Sequence, residues 1–121
     1  DEHLSLTGLC TLMWLSLMER YMELDRAGVK MLAIRYASWQ KNPRQTALSM
    51  LDYCGCRPSD LTAIEETLKK DSQAGTSLAQ DAVKKKAISA DLVNTAEMDR
   101  FLQSHAYIKS RDFEVPNTLE I

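Results

Sequence analysis

One short apolar run, Met31 to Ile34, sets the strongest limit on what this chain can fold into. It is bounded by Gly28 and the polar Ser38 and lies between two segments of helical periodicity, which is typical of a buried parallel strand over 29–36. No second convincing strand follows. Because one strand cannot pair its own backbone N–H and C=O groups inside a core, either the segment is not a strand or its partner strands lie outside these 121 residues.

Helical patterns cover most of the other residues and predict about five helices. The first, over 9–27, is apolar on all sides in its first half, so we expect neighbours on two sides of it, and Gly28 ends it. Capping residues, a helix-starting proline, glycine stops and apolar spacing predict four more, over 43–54, 59–68, 77–86 and 89–105. The tail from Tyr107 onward is predicted to be irregular.

Composition narrows the class of protein. A chain of 121 residues with 45% hydrophobic residues is long and apolar enough for one packed core, which excludes disorder. A formal charge of −2 lacks the basic surface that nucleic-acid binding needs, so no nucleic-acid partner is expected. The most apolar segment, 4–18, is shorter than the roughly 20 residues of a membrane span and lacks the basic flank of a signal peptide. We therefore expect a soluble or cytoplasmic protein without a membrane span.

The cysteines and the first residue add two expectations. Cys10, Cys54 and Cys56 are an odd number, which is typical of free thiols in a reducing compartment. The alternative is that Cys54-Gly-Cys56 forms half of a metal clip, although zinc needs four ligands and no second pair is present. Asp1 in place of an initiator Met is expected of a processed chain or of a piece of a longer protein.

Two segments carry candidate chemistry. The polar segment 69–77 contains Gly75 and leads into a capped helix, whose free N–H groups and positive dipole end suit an anion; an ordinary helix–helix loop is the alternative. Tyr36 follows the predicted strand, where ligands of parallel sheets bind, and its ring is suited to stacking on a planar group; packing at the core margin is the alternative. The sequence offers no nucleophile, general base or metal-ligand cluster, so no catalytic or metal-binding residue is predicted.

Three stretches in the same order resemble the C-terminal half of a sulfotransferase-family domain. They are GVKMLAIRYASWQKNPRQTALSMLDYCG, which resembles the family's strand, turn and following helix, KKDSQAGTSLAQ, and the closing FEVPNTLEI. Ala37 and Ser38 stand where the family usually has Glu and Asp, and Asn117 stands where it often has Gly.

The resemblance implies a three-layer α/β parent fold related to P-loop kinases, of which this segment is the mostly α-helical part with one short buried strand. It implies a reaction with 3′-phosphoadenosine 5′-phosphosulfate, whose sulfuryl group passes to a hydroxyl or amine of a small-molecule acceptor. By position, Tyr36 resembles the aromatic residue beside the adenine. The residues that resemble the family's loop near the 3′-phosphate are Gln73, Gly75, Thr76 and Ser77.

Two hypotheses for function follow. In the first, residues 1–121 are one partial domain that lacks the N-terminal nucleotide-binding portion, so the chain alone is inactive and its partner is the rest of the sulfotransferase domain. No metal is expected in that chemistry. In the second, the chain is a stand-alone helical interaction module without catalysis, and its apolar segment from Leu9 to Met18 docks a partner helix.

Overall fold

The structure, a computed structural model, describes residues 3–70, 72–77, 79 and 94–121. More than half of these residues are helical. The helices are α1 (Leu6–Arg26), α2 (Tyr36–Lys41), α3 (Pro43–Tyr53), α4 (Leu61–Leu68) and α5 (Thr95–Ser104). The described residues form two compact units, the first containing 3–31 and 94–117 and the second containing the described part of 32–79 together with 118–121.

The first unit is built on the packing of α1 against α5. One face of α1 is buried through Gly8, Thr11 and Leu15, which recur at the three- and four-residue spacing of a single helix face. Leu15, Leu102 and Ile108 form the centre of the core, and the partly buried side chains around it are Trp14, Met18, Met98, Phe101 and Phe113. This apolar cluster is what holds α1 and α5 together.

The N-termini of α1 and α5 cap each other. Ser5, the N-cap of α1, accepts a hydrogen bond from the Gly8 N–H at 3.0 Å and donates its own hydroxyl proton to Glu97 Oε1 at 2.8 Å. The Asn94 N–H, at the start of α5, donates to the Thr7 hydroxyl at 3.0 Å. In an ordinary capping box the glutamate lies three residues after the cap on the same helix, whereas here α5 supplies Glu97. Gly8 occupies the position where an ordinary capping box has its glutamate. A Cβ at this position would overlap the Glu97 carboxylate.

The segment after α5 is fastened to α1 by polar contacts. The Ile108 N–H donates to His105 Nδ1 at 2.9 Å, so the ring carries its proton on Nε2, which donates to Glu19 Oε1 at 2.6 Å. This arrangement fixes the chain where Ile108 enters the core. Further along, the Tyr21 hydroxyl donates to the Pro116 carbonyl at 2.7 Å. The tail is therefore ordered by specific bonds, although it contains no helix.

Asn117 has an uncommon backbone conformation. Its φ angle of 62° lies in the left-handed region, which glycine adopts freely and asparagine tolerates better than most residues. Its side-chain amide donates to Asp25 Oδ1 at 2.9 Å, which helps to hold the turn.

The second unit contains α2, α3 and α4. Thr46, fully buried on α3, donates its hydroxyl proton to the Asn42 carbonyl at 2.7 Å and so closes the junction between α2 and α3. Arg44 Nε and Glu65 Oε1 form an ion pair at 2.8 Å that links α3 to α4. Ala33 pairs with Thr118 in an isolated parallel β-bridge, and the Leu119 N–H donates to the Ala33 carbonyl at 2.8 Å.

The structure corrects the predicted strand. Residues 31–34 are only half-buried, the extended pairing is confined to Ala33, and Tyr36 already begins a helix that the sequence analysis did not anticipate. A buried strand over 29–36 is therefore wrong. A ladder propagates only when successive residues on both sides have partners, and here the tail offers one short extended stretch around Thr118.

The helix predictions fare differently along the chain. Those over 9–27, 43–54 and 59–68 are confirmed, with α1 beginning three residues earlier than predicted. Of the predicted helix over 77–86 the structure describes only Ser77 and Ala79, which form a turn and a bend, and the rest lies outside the described residues. The residues before 94 of the helix over 89–105 also lie outside them, and α5 begins at Thr95. Within the described residues the first half of α1 has a neighbour on one side only, because Leu6, Leu9 and Met13 are exposed.

None of the helices formed by the described residues combines the length and apolar character needed to cross a membrane.

Candidate functional site

Tyr36, one of the predicted site residues, lies on the surface at the start of α2. It is the first residue of α2 and follows the extended stretch around Ala33, so it lies on the carboxyl side of the parallel bridge. The residue is 73% exposed, and its hydroxyl makes no hydrogen bond with any described residue. The alternative of a ring packed at the core margin therefore does not hold. An exposed phenol ring is suited to stacking on a planar heterocycle.

The predicted anion loop forms a tight turn over its described residues, 72–77. The Gln73 carbonyl accepts hydrogen bonds from the Thr76 N–H at 3.0 Å and from the Thr76 hydroxyl at 2.7 Å. Gly75 makes this turn possible with a φ of 83°, a conformation that side chains with a Cβ rarely adopt. The structure thus brings Gln73 and Thr76 together around Gly75.

The hydrogen bonds within the loop determine which of its donors are able to bind an anion. Both donors of Thr76 are directed to Gln73, so in this conformation they are not presented to a ligand. Ser77 is exposed beside them, and Lys69 and Lys70 are exposed at the end of α4. The helix whose N-terminus was predicted to hold the anion begins outside the described residues.

The two predicted segments offer different chemistry. Tyr36 offers an exposed aromatic ring on the carboxyl side of a parallel pairing. The loop region offers the exposed Ser77 hydroxyl and the positive charges of Lys69 and Lys70. Tyr36 and the loop belong to the same compact unit.

Two apolar surfaces are exposed in the structure, and the first overlaps the segment from Leu9 to Met18 that the interaction-module hypothesis assigns to docking. The first is a stripe on α1, defined by Leu6, Leu9, Met13 and Leu17, whose exposed fractions are 71%, 48%, 59% and 64%. The stripe lies on the side of α1 opposite to Gly8, Thr11 and Leu15. The all-round apolar pattern of 9–18 was the available signal, since a helix with one buried face leaves its other apolar face in solvent.

The second apolar surface is a groove in the second unit, with a volume of about 370 Å³. It lies among α2, α3 and α4, and its lining is Trp39, Ala47, Met50, Leu51, Ala63, Ile64, Thr67 and Leu68. The apolar stripes of α3 and α4 face each other across it without filling the space between them. Clustering of three or more His, Cys, Asp or Glu side chains into a metal-binding group does not occur among the described residues.

Comparisons with protein-family models, with curated proteins and with solved structures gave no match.

Proposed function

We propose that this chain supplies the adenine-binding side of a sulfotransferase-like domain that uses 3′-phosphoadenosine 5′-phosphosulfate. In such a domain a sulfuryl group passes to an acceptor hydroxyl or amine, and the part assigned to this chain is to bind and orient the nucleotide. The observation that carries the proposal is the exposed Tyr36 ring on the carboxyl side of the Ala33–Thr118 pairing. Ligands of parallel sheets bind at that edge.

Two further features support the proposal. The parallel bridge joins Ala33, from the first stretch that resembles the family, to Thr118, from the last one. Asn117 adopts the left-handed conformation that the family's glycine at this position would adopt without strain. Two of the stretches that carry the resemblance are thus neighbours in the structure, although the resemblance placed the strand partners outside this chain.

The proposal assigns a separate role to each residue. Tyr36 stacks on the adenine ring, since an exposed aromatic face and a purine bury apolar surface together without a hydrogen-bond requirement. Ser77 donates to the 3′-phosphate, and Lys69 and Lys70 add long-range attraction for the anionic nucleotide. Gln73, Gly75 and Thr76 keep the loop in its turn, so they act on binding through its shape.

Titration of the full chain with 3′-phosphoadenosine 5′-phosphate, followed by NMR chemical shifts, tests this assignment. Because only one side of a nucleotide site is proposed here, we expect weak binding, at nucleotide concentrations well above micromolar, with shifts centred on Tyr36 and on 72–77. Base–aromatic stacking contributes about 1–3 kcal/mol, so Tyr36→Ala should weaken binding by about 5- to 150-fold.

Tyr53→Ala is the matched control, because Tyr53 is also exposed, at 49%, at the end of α3 in the same unit. It should leave the affinity unchanged. Equal losses in the two variants, or shifts that avoid Tyr36 altogether, would overturn the adenine assignment. Micromolar binding by the chain alone would contradict the assignment of only one side of the site to it.

A second candidate function rests on the α1 stripe. Four exposed apolar side chains in one row, spaced by three, four and four residues, form a seam one residue wide, which suits a partner helix better than a flat surface. In this alternative the chain is a helical interaction module, and the groove between two turns of α1 receives apolar side chains of a helix from another protein.

This alternative is tested with the hydrophobic dye 1-anilinonaphthalene-8-sulfonate, whose fluorescence rises on apolar surfaces. We expect the wild-type chain to enhance it and a Met13→Glu, Leu17→Glu variant to lose the part of the enhancement that arises at the stripe, because both charges fall on the stripe and repel the anionic dye. Val29→Glu replaces an apolar residue that is 45% exposed outside the stripe and should retain the signal. A double variant as bright as the wild type would rule out the stripe as the docking surface.

A further inference from the structure

The C-terminal cap of α3 places two thiols on one tight turn. Cys54 is the C-cap residue, Gly55 follows with a φ of 74°, and Cys56 follows that. The Gly55 N–H donates to the Asp52 carbonyl at 2.9 Å, and the Cys56 N–H donates to the Leu51 carbonyl at 2.8 Å. This pair of bonds is the Schellman motif, in which a left-handed glycine turns the chain back over the last turn of the helix.

The turn keeps the two cysteine residues close together along the chain, and both are open to solvent. Two residues separated by one other have Cα atoms at most about 7 Å apart even in an extended chain, and the reversal at Gly55 shortens that span. Cys56 Sγ lies 3.9 Å from the carbonyl oxygen of Cys54, so its side chain folds back toward the first cysteine. Both cysteines are free thiols and both are exposed.

We propose that Cys54 and Cys56 together bind one soft monovalent metal ion, of which Cu(I) is the physiological representative. Thiolates are the ligands that Cu(I) prefers, and it accepts a low coordination number, whereas a structural zinc site needs four ligands. The site is independent of the proposed nucleotide function, since it shares no residue with it.

Binding of the metal ion replaces the protons of the two thiols. Each thiol gives up its S–H proton to solvent and donates a sulfur electron pair to the metal, so that two protons are released for each Cu(I) bound. The product is a bis-thiolate complex with a net charge of −1, and a positively charged residue, Arg57, directly follows Cys56 in the sequence. No oxidation or reduction takes place in this step.

The test is a competition titration of the full reduced chain with Cu(I) and the chromophoric chelator bathocuproine disulfonate, under anaerobic conditions with ascorbate. We expect the wild-type chain to withdraw one equivalent of Cu(I). Cys54→Ser and Cys56→Ser should each weaken binding by about 100-fold or more, the advantage that a tethered second ligand gives. Cys10→Ser, which removes the other exposed thiol, should leave binding unchanged.

The C-terminal cap of α1 provides a control for the geometry of the proposed metal site. Gly28 and Val29 there make the same two bonds, to the carbonyls of Asp25 and Leu24, and Gly28 has a φ of 82°. Adding Ala27→Cys and Val29→Cys to a Cys54→Ser, Cys56→Ser chain should restore one tightly bound Cu(I). Wild-type affinity in either single serine variant, an equal loss in Cys10→Ser, or no recovery at the α1 cap would overturn the proposal.

Discussion

Replacing Ile108 with alanine is expected to lower the free energy of unfolding by about 2–5 kcal/mol, the range for truncating a large aliphatic side chain in a packed core. Ile108 has no exposed surface, and it forms the core of the first unit with Leu15 and Leu102. A loss of this size is a large part of the total stability of a small protein, about 5–15 kcal/mol. Urea unfolding followed by circular dichroism measures it.

Ile121→Ala is the matched control for this truncation. It removes the same atoms from a residue that is 47% exposed, so we expect a change within about 0.5 kcal/mol. Similar losses in the two variants would show that Ile108 does not lie in the core described above.

Replacing Gly8 with alanine is expected to destabilise the chain by about 1–3 kcal/mol, although alanine is the better helix former. The added Cβ overlaps the Glu97 carboxylate and comes within 3.2 Å of Phe101. Glu97 must then leave the position in which it accepts hydrogen bonds from the Ser5 N–H and hydroxyl. The N-terminus of α1 thereby loses its partner from α5. Urea unfolding of each variant gives the change.

A double-mutant cycle tests whether the carboxylate is the cause. In a Glu97→Ala chain the obstacle is gone, so Gly8→Ala should cost much less and approach the gain of up to about 1 kcal/mol expected from helix propensity alone. Glu97→Gln keeps an acceptor oxygen near Ser5 and should be less harmful than Glu97→Ala. If Gly8→Ala costs the same in both backgrounds, the contact with Glu97 does not restrict this position.

The helices that could be predicted are those whose signals are local. The Asn42-Pro43 start and the Gly55 stop bracket α3, and Gly28 ends α1, because caps depend on residues within one turn. By contrast, α2 has six residues and no side-chain cap, so no local signal marked it. The Glu97 cap of α1 comes from 92 positions along the chain, a separation that periodicity cannot detect.

The run from Met31 to Ile34 shows why apolar character alone misleads. A short apolar run fits both a buried strand and a half-buried connection, and only its neighbours decide between them. Here the partner is a single stretch of the tail around Thr118, which the sequence analysis treated as irregular. Part of the backbone pairing that we expected outside these 121 residues is therefore made by the tail of the chain itself.

Only part of the candidate site could likewise be predicted from the sequence. Position after the extended segment was enough to single out Tyr36, and its exposure agrees with a binding role. The loop was singled out by Gly75 and its hydroxyl residues, but the direction of the Thr76 donors depends on the turn itself, which spacing does not reveal. The α1 stripe was visible only as excess apolar character, because burial is decided by the packing of α5 on one face.

The most direct test of the adenine assignment is a search for intermolecular nuclear Overhauser effects in the full chain saturated with 3′-phosphoadenosine 5′-phosphate. If the ring of Tyr36 stacks on the base, its aromatic protons should show such effects with the adenine H2 or H8 proton. The phenol ring of Tyr53 should show none. Adenine contacts to other residues, with none to Tyr36, would contradict the proposed function.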